Sequence, residues 1–349
     1  MSLLHWNTCY NLSCVKRTLI ITGLCLIIGM CIYGCMRWVR YVPTIRLGFN
    51  ASSGFEYFVF AKKMKLFRQC GLRVQLIEFG SFSDVQQAFE WGQIHGMVCN
   101  LVDVMVTIKK NKKHAPKIIL IPSYPTPKAA CHLLVDSSIK NLNDIKGKIV
   151  GVEIHSFGGF VLLKALKSVA LSLNDVHVRF VDPTAFLTFL NKQKVQGVVS
   201  YPPYSANLIK SYEGLHSIYS TENWPKEMQL NVLVIDQNTL QKHTHGLKKF
   251  VSQWDNLLNL YNKDPSIAHN ILSHHLSVSP QRANKIFNTV IPLKLEEQML
   301  LFSANKYLSN IIETINTELL VNNNLTNEKI NFDAIFDSTF LHEALRSKQ

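Results

Sequence analysis

Apolar residues recur along this chain in two alternating rhythms. Ile45 to Phe49 and Leu72 to Phe79 alternate apolar with polar residues, as strands with one buried face do. Between and after them, Glu56 to Phe67, Ser83 to Trp91 and Leu101 to Lys109 carry helical spacing. The first of these ends at Cys70-Gly71, and the second opens on Ser83-Asp84, a pair suited to an N-cap. Short strands are predicted over His95 to Cys99 and Lys117 to Ser123. The rhythm then repeats. Strands fall over Ala130–Val135, Lys148–Glu153, His177–Val181 and Gly197–Ser200, with helices over Gly159–Val169, Pro183–Leu190 and Pro203–Ser211. A last strand is predicted over Gln229–Ile235, and from Leu247 the chain reads as mostly helical. Strands alternating with helices build βαβ units and a largely parallel sheet. Two such units, with no long linker between them, would face each other across a cleft at the carboxyl ends of their strands.

One segment breaks this rhythm. Thr18 to Met36 is uncharged and long enough to cross a bilayer core as a helix. Lys16 and Arg17 precede it, and Arg37 and Arg40 follow it. Three readings stay open: a retained signal-anchor, a cleaved signal peptide, and a lipoprotein signal with Ile32-Tyr33-Gly34-Cys35 as the lipobox and Cys35 as the lipidated residue. Tyr33 is unusual for a lipobox, and the lead-in before Lys16 is long for a signal peptide. Tethering by the helix or by Cys35 is favoured over release. The organisation expected is a leader over 1–17 and an anchor or signal over 18–36. The soluble domain is expected to face the periplasm or cell exterior from a bacterial inner membrane.

Composition sharpens this picture. At 349 residues and 47% hydrophobic content the chain can bury a core without staples, and it has room for about two domains. The formal net charge is +13. Residues 1–43 hold four basic residues and no acids, which leaves +9 on the remainder. Such a balance suits an anionic membrane surface or an anionic solute. Lys109-Lys110-Asn111-Lys112-Lys113-His114 is an isolated basic cluster without the aromatic partners of a nucleic-acid motif, so no nucleic acid is expected. Cys70, Cys99 and Cys131 match no metal or redox spacing and read as small buried hydrophobes. His243, His245, His274 and His275 lack nearby acids at ligand spacing, so no metal is expected.

Several stretches, taken in order, resemble the substrate-binding proteins of nitrate/sulfonate/taurine-type ABC importers, a superfamily that includes yeast-type thiamine-pyrimidine synthases. They are Gly48-Phe49, Gly54-Phe55-Glu56, Cys70-Gly71-Leu72-Arg73-Val74, Gly92-Gln93-Ile94-His95-Gly96, Leu142-Asn143-Asp144-Ile145-Lys146-Gly147 and Tyr201-Pro202-Pro203-Tyr204. The resemblance implies an α/β fold of the type II periplasmic-binding-protein kind. Two lobes, 44–123 with 229–349 and 124–228, would surround a cleft, with crossings at Ile118–Tyr124 and Leu230–Ile235 and a helical C-terminal tail. It implies a monomeric, non-enzymatic binding protein without a cofactor. The protein would pass a small solute, anionic or sulfonate- or pyrimidine-like, to an ABC permease and ATPase. A pyrimidine-synthase-like enzyme and a degenerate scaffold docking a protein are the rival readings.

The loop Ser156-Phe157-Gly158-Gly159 follows a strand and opens a helix, so its N–H groups are placed to meet a ligand. The same reasoning singles out Asn50, Ser52, Ser53 and Phe55 after the first strand, Ser81 and Ser83 after the second, and Asn100 and Asp103 after the third. Tyr124, Asp182, Tyr201 and Tyr204 complete the candidate set. The chain departs from its relatives at Ser52, where they carry an aromatic residue, and at His95 and Gln196, where they carry acids. Loss of acids would suit a less cationic ligand.

Overall fold

The computed structural model describes residues 22–24, 26–30, 43–50, 54–110, 116–153, 156–303, 305–317 and 330–347. The chain divides at Pro43 into two units, Met1–Pro43 and Thr44–Gln349. In the first, residues 22–24 and 26–30 are helical, and Leu24, Leu26, Ile27, Ile28 and Met30 are exposed. No helix among the described residues is long and apolar enough to cross a membrane. The rest of Thr18–Met36, Cys35 included, lies outside the described residues, as do Asn111 to Ala115 of the basic cluster.

The second unit holds two sheets. The first has six strands: β1 (Thr44–Asn50), β2 (Arg73–Phe79), β3 (Gly96–Asn100), β4 (Lys117–Pro125), β10 (Asn231–Ile235) and β11 (Val290–Pro292), in the order β11-β4-β10-β3-β1-β2. The second has five: β5 (His132–Val135), β6 (Ile149–Val152), β7 (His177–Phe180), β8 (Gly197–Ser200) and β9 (His216–Ser220), in the order β7-β6-β8-β5-β9. β1 lies parallel to both β2 and β3, and β6 lies parallel to both β7 and β8. β10 enters antiparallel between β3 and β4. The chain therefore passes between the sheets twice, after β4 and before β10. Two strands escape the apolar rhythm. β9 reads His-Ser-Ile-Tyr-Ser, with little alternation to reveal it, and β11 is three residues ending in proline. β11 interrupts the helical tail and pairs with the far end of β4.

The helices that matter for the site follow strand ends. They are α1 (Glu56–Lys63), α2 (Leu66–Gln69), α3 (Phe82–Glu90), α4 (Leu101–Lys110) and α5 (Phe157–Lys167). α3 begins earlier than its sequence suggests. Ser81 is its N-cap, and the Oγ of Ser81 accepts the Asp84 N–H at 3.1 Å, so the Ser83-Asp84 pair sits inside the first turn. The six-stranded sheet is sealed on one side by a buried aromatic group in which Tyr57 meets Trp254 edge-on. The Trp254 indole N–H donates to the Leu293 carbonyl at 2.9 Å. Cys70, Cys99 and Cys131 are buried and free.

Gly96 shows how tightly β10 is inserted. A Cβ there would stand 2.4 Å from the Val234 carbonyl oxygen, a backbone atom that cannot swing aside. Gly96→Ala is expected to cost about 1–3 kcal/mol of stability, the usual penalty of overpacking, read as an earlier midpoint in urea unfolding.

Candidate functional site

Four strands bring their carboxyl ends to one place. β1 ends at Asn50, β3 at Asn100, β6 just before Glu153 and β8 just before Tyr201. Around the enclosed space between them, hydrogen bonds run from the loops of one sheet to those of the other. The Asn50 amide donates to the Tyr201 hydroxyl at 2.9 Å, and that hydroxyl donates to Glu153 Oε2 at 3.1 Å. The Ser83 N–H donates to Glu153 Oε1 at 3.0 Å. The Phe157 N–H donates to Asp103 Oδ1 at 2.6 Å. The Tyr204 hydroxyl donates to the Gly80 carbonyl at 2.7 Å. The space left is about 60 Å³, lined among others by Asn50, Asn100, Asp103, Glu153, Ser156, Phe157, Gly158 and Tyr201. A water needs at least about 10–15 Å³ of such space, so the cleft as it stands holds a few waters. A second cavity of about 140 Å³, lined by Tyr124, Trp224 and Lys226, shares Pro125 and Gln229 with the first.

The electrostatics are dominated by two acids. Asp103 is pushed up to about 8, by burial first and then by the neighbouring Glu153, against the pull of the Phe157 and Asn100 N–H groups. Glu153 is pushed up to about 7, by burial above all, against the N–H groups of Ser83 and Phe82 and the Tyr201 hydroxyl. Burial disfavours the charged carboxylate because the interior solvates it poorly. Among the described lining residues there is no lysine, arginine or histidine. The Tyr201 hydroxyl is held protonated by burial and by Glu153, so it serves as a hydrogen-bond donor. Cys131 also lines the space, and burial pushes its thiol far up.

The structure brings together much of the expected set: Asn50, Asn100, Asp103, Ser156, Phe157, Gly158 and Tyr201 line the cavity. Ser83 reaches it through its backbone, and Tyr204 through its bond to Gly80 and its edge-on contact with Tyr201 at 5.6 Å. Ser156 caps α5, with its Oγ accepting the Gly158 N–H at 3.1 Å. The others are occupied elsewhere. Phe55 stacks on Phe49 at 4.7 Å in the core, because the chain turns inward at Gly54. Ser81 is the cap of α3. Gly159 lies one residue beyond the lining. Asp182 caps the turn Pro183–Ala185 and reaches the site through its charge on Glu153 and Tyr204. Tyr124 lines the second cavity under the Lys226 ammonium, 4.9 Å from its ring. Ser52 and Ser53 lie outside the described residues. Gln229, Asn231 and Cys131 also line the space without having been singled out, and Glu153 is the charged participant that the sequence reading passed over. Its signal was present: it is the lone acid closing an apolar strand, directly before the Ser156 loop.

A model of the NMT1-like family matches residues 41–271. The chain belongs to the NMT1-like family. Among solved structures, this family member resembles the alkanesulfonate-binding protein SsuA of Xanthomonas axonopodis pv. citri bound to MOPS. The TM-score is 0.65 and the identity 15%, over 85% of this chain and 99% of that one. It also resembles the periplasmic nitrate-binding protein NrtA of Synechocystis PCC 6803, with TM-score 0.61 and 11% identity over 88% and 89%. A third likeness is to the desulfurization enzyme DSZB, with TM-score 0.59 and 11% identity over 88% and 100%. Comparison with curated proteins gave no match. At these identities the likeness establishes the fold: this NMT1-like chain has the α/β architecture of the periplasmic binding proteins.

The acids make stability depend on pH in a definite direction. Asp103 and Glu153 ordinarily titrate at 3.8 and 4.5, and both are raised on folding. The folded chain therefore binds more protons than the unfolded one between those values and about 8, and stability falls as pH rises through that window. Glu56, buried and raised to about 7, adds to the same trend. The half-buried histidines, such as His95 and His132, are lowered by burial and act in the opposite sense. The share of the acids is therefore read by difference. In urea unfolding at pH 5 and pH 8, Asp103→Asn should raise the pH 8 midpoint relative to the pH 5 midpoint, compared with the wild type.

Proposed function

We propose that this chain is a membrane-tethered solute-binding protein that captures a small solute between two lobes and delivers it to an ABC permease and its ATPase. The observation that supports this most is the set of hydrogen bonds crossing from one sheet's loops to the other's around an enclosed space at strand carboxyl ends. Two bodies joined by two chain crossings and held by such bonds can part to admit a solute and close again. The lobes are 44–123 with 229–349, and 124–228. Asn50, Ser83, Asn100, Asp103, Glu153, Ser156, Phe157, Gly158, Tyr201 and Tyr204 form the solute site. Relatives of the same fold bind sulfonates and nitrate, which supports solute capture as the role of the cleft.

The tether is the N-terminal segment. Five apolar side chains between Leu24 and Met30 stand exposed on helical backbone, which suits a hydrocarbon surrounding and not water. The basic residues on both sides would sit among headgroups. An enzymatic reading, prompted by the fold of DSZB, has weaker support here. The cavity cysteine is held as a thiol, and the thiolate is the nucleophilic form.

Two measurements test the proposal. Full-length protein in detergent, screened by thermal shift against a metabolite panel, should be stabilised by at least one small solute. Tyr201→Phe, which removes the hydroxyl shared by Asn50 and Glu153, should weaken that solute roughly ten- to hundredfold. Absence of any shift across the panel would overturn solute capture. In cells, the protein should stay in the membrane fraction after an alkaline carbonate wash, and its release would refute the tether.

A further inference from the structure

Two of the bonds that cross between the sheets are of one kind, exchanged. Asp103, on the side of the six-stranded sheet, accepts the first N–H of α5, which belongs to the other side, at 2.6 Å. Glu153, at the end of β6, accepts the Ser83 N–H in the first turn of α3 at 3.0 Å, with Phe82 donating beside it. A helix N-terminus is where an oxyanion ligand would settle, since the N–H groups point outward and the dipole favours negative charge. Here the starts of α3 and α5 are each already met by the chain's own carboxylate, sent across from the opposite side.

We infer that Asp103 and Glu153 determine the charge of the ligand: the cleft rejects anionic solutes and takes a small organic cation of the ammonium or amidinium class. The inference rests on the reading of the chain as a solute-binding protein. Once the pair is ionised, an entering anion would have to displace a carboxylate that is already bonded, and then lie beside the other in an interior that screens little. A cation need displace nothing. A carboxylate offers about four acceptor positions. Asp103 uses two, for Phe157 and Asn100, and Glu153 uses three, for Ser83, Phe82 and Tyr201. Acceptor capacity is left on both. Among the described residues, the other ionisable groups coupled to the pair are Asp182, near Glu153, the tyrosines 201 and 204 and the cysteines 99 and 131, none of them a cation. Among the described residues lining the space no basic side chain supplies the counter-charge. Near neutral pH, bound protons fill that role, as the raised titration of both acids shows. A cation that binds must therefore release them.

Full-length protein in detergent, titrated calorimetrically with acetamidinium, methylammonium, methanesulfonate and nitrate, tests this. Acetamidinium is expected to bind at least about tenfold more tightly than methanesulfonate. Its affinity should rise by up to about tenfold per pH unit between pH 6 and 8 for each proton released. The release itself is read from the heats in buffers of different ionisation enthalpy. Asp103→Asn and Glu153→Gln, each checked by a thermal melt, should lose the cation preference, and the double variant should bind methanesulfonate. Tighter binding of methanesulfonate by the wild type, or cation binding without proton release, would overturn the inference and leave solute capture standing. If folded wild-type protein binds none of these probes and nothing in the metabolite panel, both readings fall. The wild-type arms do not depend on any variant folding.

Discussion

A carboxylate taken out of water survives only where donors replace the water it has lost. In this protein two carboxylates are solvated by helix starts that belong to the opposite sheet, and the rest of the cleft follows from that exchange. Asp103 and Glu153 satisfy the first N–H groups of α5 and α3, so neither helix start needs a ligand to be complete. The same bonds bring Asn50 and Tyr201 within reach of each other and reduce the space between the lobes to a few waters' worth. The resulting pocket is acidic inside a chain whose net charge is +13. These two facts act at different ranges. The net charge sets the potential felt about a Debye length away, and the buried pair sets the potential inside the cavity.

The architecture that permits this is a matter of strand order. β10 returns from the five-stranded sheet into the middle of the six-stranded one, between β3 and β4. Both crossings therefore lie side by side, and the ends of β1, β3, β6 and β8 are set opposite one another, with Asn50, Asn100, Ser156, Gly158 and Tyr201 lining the gap. Gly96 leaves the clearance that β10 needs, and Trp254 and Tyr57 pin the helices behind it.

The fold was legible where periodicity is strong. Alternation marked β1 and β2, and helical spacing marked the helices between the strands. β9 and β11 were hidden, one because its residues are mostly polar and the other because three residues carry no period. The site was legible by position. Residues just past strand ends, such as Asn50, Asp103, Ser156 and Tyr201, were picked out by a rule about strand ends and do meet in the cavity. The same rule also swept in Phe55 and Ser81, which spend their side chains on core packing and on a cap. No local rule shows which way a side chain turns there. Glu153 was missed for a related reason. An acid at the end of an apolar strand reads as the strand's soluble terminus, and its partners, Ser83 and Tyr201, lie 70 and 48 residues away in sequence.

Strand order also dictates a sequence of events during synthesis. All five strands of the second sheet, from His132 to Ser220, emerge from the ribosome in one uninterrupted stretch. The first sheet has no such independence. β3 and β4 are not neighbours, and the slot between them stays empty until β10 has been made. Because contacts close in sequence are reached sooner than those that must close a long loop, the second sheet is placed to form while the first is still open. The nascent chain must carry β1 to β3 as an unfinished sheet, and β4 as a strand whose partners are not yet made, across more than a hundred residues of translation. Bare edges invite pairing with the wrong partner, so the interval before β10 arrives is the time at which this chain has most need of a chaperone.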